Sequence, residues 1–238
     1  MVPGAAAKVT GLRIRRVVSR AVRLLRFGGS GVLVELSSGA QVMTAYRTLR
    51  AALADGRLDG VAELVPAART VLLTVAAGLT PPRDQVRALL ADALDGPAEA
   101  GDPSAEGPGA APAEVVIPVR YDGADLDLVA RTAELSVPEV IELHSSTEYT
   151  VAFCGFSPGF GYLTGLPEPL RQARLDDARP SVPAGSVAMA GEFTGVYPRS
   201  SPGGWRLLGH TDQVMFDPGA DPPARLAPGD RVRFERVR

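Results

Sequence analysis

The 238-residue chain holds one cysteine, one lysine, two histidines and one tryptophan. With Cys154 alone, no intrachain disulfide can form and no cysteine cage for zinc can be built. His144 and His210 are too few for a histidine metal site. Lys8, the sole lysine, cannot serve a phosphate loop of the pattern G-x-x-x-x-G-K-[ST]. Any phosphate must therefore be held by arginine, backbone N–H groups or a partner chain. Neither H-E-x-x-H nor G-x-S-x-G occurs. The longest apolar run, "TVLLTVAAGL" (Thr70 to Leu79), is far too short to span a bilayer. The opening "MVPGAAAKVTGLRIRR" has no apolar segment of the secretory kind. A cytoplasmic protein without a membrane partner is expected. The net charge of -2 gives no electrostatic reason to expect nucleic acid. Aromatic residues make up only 5% of the chain, so any local concentration of them is informative.

At 45% hydrophobic and 22% charged, the composition is that of an ordinary globular protein with a sizeable core. One stretch breaks it: Asp95 to Ala113 contains no Val, Ile, Leu, Met or aromatic residue. Such a segment cannot bury enough apolar area to offset its ordering entropy. It reads as a flexible linker spanning roughly 25 Å as a random coil. It separates a small front domain, 12–94, from a larger back domain, 114–238. In front, "RLLRF" and "GVLVEL" flank the glycine turn "GGS" as a hairpin. Val42, Ala45, Tyr46, Leu49, Ala52 and Leu53 share one helical face. "VAELV" and "TVLLTV" read as two more strands. A second helix carries Val86, Leu89, Leu90 and Leu94, with Pro81 and Pro82 near its start, where proline is tolerated. Two helices on a four-stranded sheet make a scaffold without a catalytic pattern.

The back domain opens on the strand "VVIPVRY" and a helix around Leu126 to Leu135. Ser136 and Glu139 then form a capping-box pattern for a second helix ending near His144. After "YTVAFCGF" come short strands and tight turns: "SVAMAG", "TGVYP", "WRLLGHT", "QVMFDP" and "RVRFERV". Short strands with Gly/Pro punctuation predict a closed β-barrel or a sandwich, and the whole chain an α+β protein. "APGD" has proline second and glycine third, the type II turn arrangement.

Chemistry must come from turns. "CGFSPGFGYLTGLPEPL" (Cys154 to Leu170) packs four glycines, three prolines and three aromatics into one stretch. It is too broken for a helix and too rich in proline for a central strand. "VPAGS" (Val182 to Ser186) and "TGVYPRSSPGGWRLLG" (Thr194 to Gly209) are similar. Phe156, Phe160, Tyr162, Tyr197 and Trp205 are candidate walls of a pocket. Ser186, Thr194, Arg199 and Arg206 are candidate polar contacts. Taken singly, each turn reads more readily as structure. His144 is balanced between site and helix-end dipole partner. Cys154 reads as a small buried thiol, and His210 as a strand residue.

These motifs, in order, carry a resemblance. "FCGFSPGFGYLTGLPE", "RPSVPAGSVAMAG", "TGVYPRSSPGGWRLLGHT", "MFDP" and the closing "PGDRVRF" resemble the family of the 5-oxoprolinase B subunits. That family is also known as allophanate hydrolase subunit 1 and includes histidine-kinase inhibitors of the KipI type. The resemblance implies a cyclophilin-like β-barrel for the back domain. It implies a partner of the C-subunit type with a related barrel, and ATP, with Mg, shared between them to activate 5-oxoproline. The chain would then be one subunit of an ATP-dependent amide hydrolase, inactive alone. Alternatives are a KipI-like inhibitor of a sensor histidine kinase, or a subunit of a urea- or allophanate-metabolising enzyme. Residues that match the family pattern are His144, Phe156, Pro158, Gly159, Tyr162, Arg174 and Arg179. Pro183, Gly185, Ser186, Thr194, Tyr197, Gly203, Gly204 and Trp205 match as well. With Arg206 beside them, these are the site candidates; Arg179 and Arg206 are the phosphate candidates. Three positions depart from the pattern: Phe193 for a usual glutamine, His210 for a usual arginine, and Gly161 for a usual proline or alanine, which is expected to loosen the loop.

Overall fold

The computed structural model of the chain describes residues 22–94 and 113–238. The predicted linker lies outside them except for Ala113, as do residues 12–21. In the front domain, β1 (Arg23–Phe27) and β2 (Gly31–Glu35) form the expected hairpin. Helix α1 (Gly39–Ala54), strands β3 (Val61–Pro66) and β4 (Thr70–Val75), and helix α2 (Arg83–Leu94) follow. The sheet order is β1-β2-β4-β3. Helix α1 starts where it does because the Ser38 side chain accepts the Gln41 N–H. Strand β4 alternates in burial, with Val71, Leu73 and Val75 inward. They pack with Val32 and Val34 under Val42, Leu49, Val86 and Leu90 of the helices. This is the two-helix, four-strand layer that the periodicity predicts.

The back domain runs β5 (Glu114–Val119), α3 (Leu126–Ala133), α4 (Val137–Ser145), β6 (Glu148–Cys154) and β7 (Gly161–Thr164). A 3-10 turn (Glu168–Leu170) leads to β8 (Arg179–Val182), β9 (Ser186–Ala190), β10 (Phe193–Val196), β11 (Ser201–Gly203), β12 (Arg206–His210) and β13 (Arg231–Arg236). Helix α4 begins at the full capping box: Ser136 Oγ accepts from Glu139 N, and Glu139 accepts from Ser136 N. Seven strands form one sheet in the order β12-β9-β10-β7-β6-β13-β5. Only β5 and β13 pair in parallel. The two edges of this sheet meet. Arg120 and His210 exchange backbone N–H···O bonds of 2.9 Å each way. Gly123 N–H donates to Leu208 O at 3.1 Å, continuing the seam. A side chain at Gly209 would overlap the Arg120 carbonyl, and one at Gly123 would overlap the Leu207 carbonyl. Glycine there lets the edges approach. The result is a nearly closed seven-stranded, cyclophilin-like barrel. Barrel, not sandwich, is the outcome. Its interior is filled by Ile117, Val151, Leu163, Val187, Val196 and Phe234 among others.

Three strand assignments differ from the reading of the sequence. "QVMFDP" is not a strand; it holds only an isolated bridge, Phe216 to Ala224. Its alternation arises because Met215 is buried on the barrel while Val214 is 65% exposed, without a ladder partner. Strand β7 lies inside the glycine- and proline-rich stretch, since none of its four residues is proline. Gly161 is therefore buried in a ladder opposite Cys154 and loosens no loop. Strands β8 and β11, each containing a proline, form a separate ribbon beside the barrel. The "APGD" turn is as predicted, with Gly229 at φ 100° and Asp230 N–H donating to Ala227 O.

Candidate functional site

The stretch that joins β6 to β7 is a tight loop, Gly155 to Phe160. Gly155 N–H donates to Phe160 O at 3.1 Å, Ser157 N–H to Gly155 O at 2.8 Å, and Phe160 N–H to Ser157 O at 3.0 Å. Gly159, at φ 81°, presses the loop onto the 215–216 segment; a Cβ there would come within 2.6 Å of Phe216 Cβ. The geometry forces Phe156 to φ 69°, a left-handed conformation. For a bulky residue this costs about 1–2 kcal/mol. Phe156 is also 59% exposed. A strained, exposed aromatic is the least expected residue in the barrel.

Behind it stands a continuous aromatic cluster. Phe156 meets Phe160 edge-on at 5.4 Å and Tyr197 at 6.2 Å. Phe160 is in turn edge-on to Tyr162, Tyr197 and Trp205 at 5.0, 5.4 and 5.3 Å. Tyr162 stacks on Phe153 at 4.3 Å, and Phe193 closes on both. Seven of the chain's thirteen aromatics (7 Phe, 5 Tyr, 1 Trp) lie in this one cluster. Edge-to-face pairs add roughly 0.5–1.5 kcal/mol each beyond burial. Phe193, at the position of the usual glutamine, thus extends the apolar wall. Gly203 lies directly under the Tyr197 hydroxyl, where any side chain would overlap it. Burial raises the phenol pKa of both Tyr162 and Tyr197, opposed less strongly by nearby Arg174 at Tyr162 and by the Trp205 backbone, then Arg174, at Tyr197. Both phenols therefore stay protonated; Tyr162 is partly accessible, whereas Tyr197 is fully buried. Arg174 is exposed, and no ion pair ties it to another described residue.

The structure thus brings together Phe156, Pro158, Gly159, Tyr162, Tyr197, Gly203 and Trp205, with Arg174 and Arg179 alongside. Arg179 is not free. It pairs with Asp125 at 2.7 Å, while the other Asp125 oxygen accepts Leu207 N–H at 2.8 Å. Arg206 is also engaged, donating to Ala173 O, Thr132 Oγ1 and Gln172 Oε1 at 3.0, 3.1 and 2.8 Å. Gly204 accepts Leu175 N–H through its carbonyl. Pro183 is exposed, and Gly185 bridges Tyr197 O and Thr211 N through its backbone. Ser186 is buried at the start of β9, opposite His210.

His144 and Thr194 belong to the barrel core, not to the aromatic face; both are fully buried. Thr194 Oγ1 donates to Ala188 O at 3.0 Å, so it must accept from His144 Nε2 at 2.9 Å. The proton thus sits on Nε2, and Tyr121 O–H donates to Nδ1 at 2.8 Å. Burial pulls the imidazole pKa down to about 3, which keeps it neutral. The ring stacks on Phe234 at 4.6 Å. Cys154 is half-buried and its thiol pKa is pushed up to about 11, by burial first and then by Asp230. This fits an inert thiol. His210 instead lies at the seam, its Nδ1 2.8 Å from Asp122.

Two residues of note carry no signal in the sequence. Ser157 has an enclosed hydroxyl with no partner among the described residues, in the strained loop. Asp125 links Arg179 to the β12 backbone across 54 and 82 residues. Serine and aspartate are too common, and their partners too distant, for spacing to single them out.

The family described as carboxyltransferase domain, subdomain C and D, matches residues 22–226. The 5-oxoprolinase B subunit of Escherichia coli O157:H7 is 54% identical over 123 residues, covering 50% of this chain and 56% of that protein. The 5-oxoprolinase B subunit of Bacillus subtilis (strain 168) is 48% identical over 126 residues, 52% of each. The chain spans about half the length of these curated relatives. A conserved uncharacterized protein from Pyrococcus horikoshii, known by crystal structure, aligns with a TM-score of 0.51 at 33% identity, over 90% of this chain and 97% of its own. The Kluyveromyces lactis urea carboxylase shares the fold, with a TM-score of 0.66 at 18% identity over 91% of this chain and 22% of its own. By the extent of the family match and the barrel that underlies it, the chain belongs to the carboxyltransferase-domain family, subdomains C and D.

Proposed function

We propose that the chain is the B-type component of a 5-oxoprolinase, which opens 5-oxoproline to glutamate with ATP and works with a C-type partner. One observation carries this reading: Phe156 is held exposed and left-handed at the edge of the aromatic cluster. Strain of this kind persists where it serves a contact, and an exposed ring flanked by Pro158 suits a partner surface. Behind it, the protonated phenol of the partly buried Tyr162 can donate to an amide oxygen, with Arg174 to balance charge developing there. Likeness to the 5-oxoprolinase B subunits supports the same substrate class.

Among the described residues, the two arginines that the sequence offers for phosphate are not free to hold a nucleotide. Arg179 and Arg206 are engaged internally. We therefore assign the nucleotide mainly to the partner. This chain's part is to wall the site, exclude water and orient the amide.

The test is oxoproline-dependent phosphate release. The purified chain alone should show little, and adding the C-type partner should restore it. Phe156→Gly removes the backbone strain, so its stability should stay within about 1 kcal/mol of the parent. Partner-restored activity should nonetheless fall by about tenfold or more. Full turnover by the isolated chain would sink the two-subunit reading. Capture of a sensor-kinase helix, with no activity on adding the partner, would favour the inhibitor alternative.

A further inference from the structure

The aromatic face carries more positive charge than its neighbours cancel. Both arginines beside it are placed by the same short segment, Gly203 to Trp205. Leu175 N–H donates to Gly204 O at 2.8 Å, which sets the preceding residue, Arg174, beside the rings. Arg179 is the ladder partner of Gly203, and its Nη1 reaches Trp205 O at 3.5 Å. The two differ in what answers their charge. Arg179 is answered by the buried Asp125 at 2.7 Å. Arg174 is exposed, and no carboxylate among the described residues lies within ion-pair distance of it, although Asp176 and Asp177 follow in the same loop. The phenols report the same balance. Arg174 acts on both Tyr162 and Tyr197, Arg179 acts on Tyr197, and no acidic side chain among the described residues acts on either. One positive charge is thus left over beside the accessible part of Tyr162 and the half-buried rings of Trp205 and Phe193.

We propose that Arg174 forms a carboxylate subsite, so that the amide taken at this face is one that carries a carboxylate close to its carbonyl, as 5-oxoproline does. The subsite deepens the function proposed above and rests on it for the amide. Arginine presents several N–H donors in a planar fork. One edge can hold the carboxylate through paired, charge-assisted bonds while another N–H stays near the amide oxygen that Tyr162 meets. A neutral lactam such as 2-pyrrolidinone has the same ring and the same amide, and offers nothing to that edge.

The test compares 5-oxoproline with 2-pyrrolidinone, which lacks only the carboxylate. Binding to the full chain, alone and with its C-type partner, is followed by NMR with only this chain labelled and no nucleotide present. 5-Oxoproline should bind about tenfold or more tighter than 2-pyrrolidinone. It should shift the Arg174 side chain and the Trp205 indole. Arg174→Gln should cut that advantage to within about twofold. Its affinity for 2-pyrrolidinone should stay within about twofold of the parent, because charge at the amide oxygen develops only during reaction. Arg174→Lys, which keeps the charge but not the fork, should retain part of the advantage. A role of Arg174 in the fold alone would move both ligands together. No saturable binding of 5-oxoproline, equal binding of the two lactams, or an advantage that survives Arg174→Gln would overturn the proposal. Oxoproline-dependent phosphate release by the same complex decides the function separately. Turnover with equal binding of the two lactams overturns the carboxylate subsite alone, and selective binding without turnover overturns that function alone.

Discussion

The front layer and the barrel are both built from apolar strands and helices, yet they tolerate different things. Among the described residues, every buried polar or charged side chain lies in the barrel half, including Asp125, His144, Gln172 and Thr194. The front core has none. Several glycines add to the contrast, although Gly155, Gly191 and Gly229 of the barrel also have open space and Gly60 of the front layer would meet Leu79. Gly28, Gly39, Gly56 and Gly78 have open space where a side chain would go. Gly123, Gly185 and Gly209 would each overlap backbone. The front domain is therefore specified mainly by hydrophobic pattern, which many sequences satisfy. The barrel is specified by close approaches and by hydrogen bonds that have no substitutes.

The contrast can be broken experimentally. Gly209→Ala should have the largest effect, since it drives a methyl into the Arg120 carbonyl and parts the seam. A loss above about 4 kcal/mol is expected, a fall in Tm on the order of 10 °C. A thermal melt within two or so degrees of the parent would erase the distinction between the two glycine sets.

Acid should act next, through the barrel alone. Burial pulls the His144 pKa from 6.5 to about 3. Above pH 6.5 or so, the ring is neutral in both folded and unfolded chains and adds no pH dependence. Below that, the unfolded chain takes a proton that the folded one refuses. Stability should then decline as pH falls toward 3, with a slope approaching about 1.4 kcal/mol per unit. In urea titrations from pH 7 to pH 4, His144→Gln should be less stable at neutral pH but should lack this slope. An unchanged slope would place the acid sensitivity elsewhere. The smallest effect sharpens the comparison from the other side. Gly39→Ala, at the first position of α1 with free space around it, should raise stability by up to about 1 kcal/mol. A measurable loss in a thermal melt would show that Gly39 is constrained after all.

Local chemistry was readable in the sequence, and distant pairing was not. Ser136 and Glu139 could be seen to cap a helix because both partners lie within one turn. The faces of α1 and α2 could be seen because Val42, Leu49, Val86 and Leu90 recur at helical steps. The aromatic wall was half visible. Phe156, Phe160, Tyr162, Tyr197 and Trp205 stand in the glycine-rich turns, but Phe153 and Phe193 reach them only through strand register. His144 could be counted as a site or a cap, because its decisive partner, Thr194, is 50 residues away. The seam was invisible for the same reason: Arg120 and His210 are separated by 90 residues. Strands β8 and β11 escaped notice because they are short and hold Pro180 and Pro202, residues that normally argue against a strand.

Strand β13 is made after all the other strands, yet it lies between β5 and β6 in the finished sheet. During synthesis, β5 therefore waits more than a hundred residues for its ladder neighbour. Until then its open edge can engage only the seam or a foreign strand. The barrel must close late, by insertion of one strand into a gap held open for it. A slow last step of that kind leaves newly made chains most vulnerable to clumping just before they finish folding.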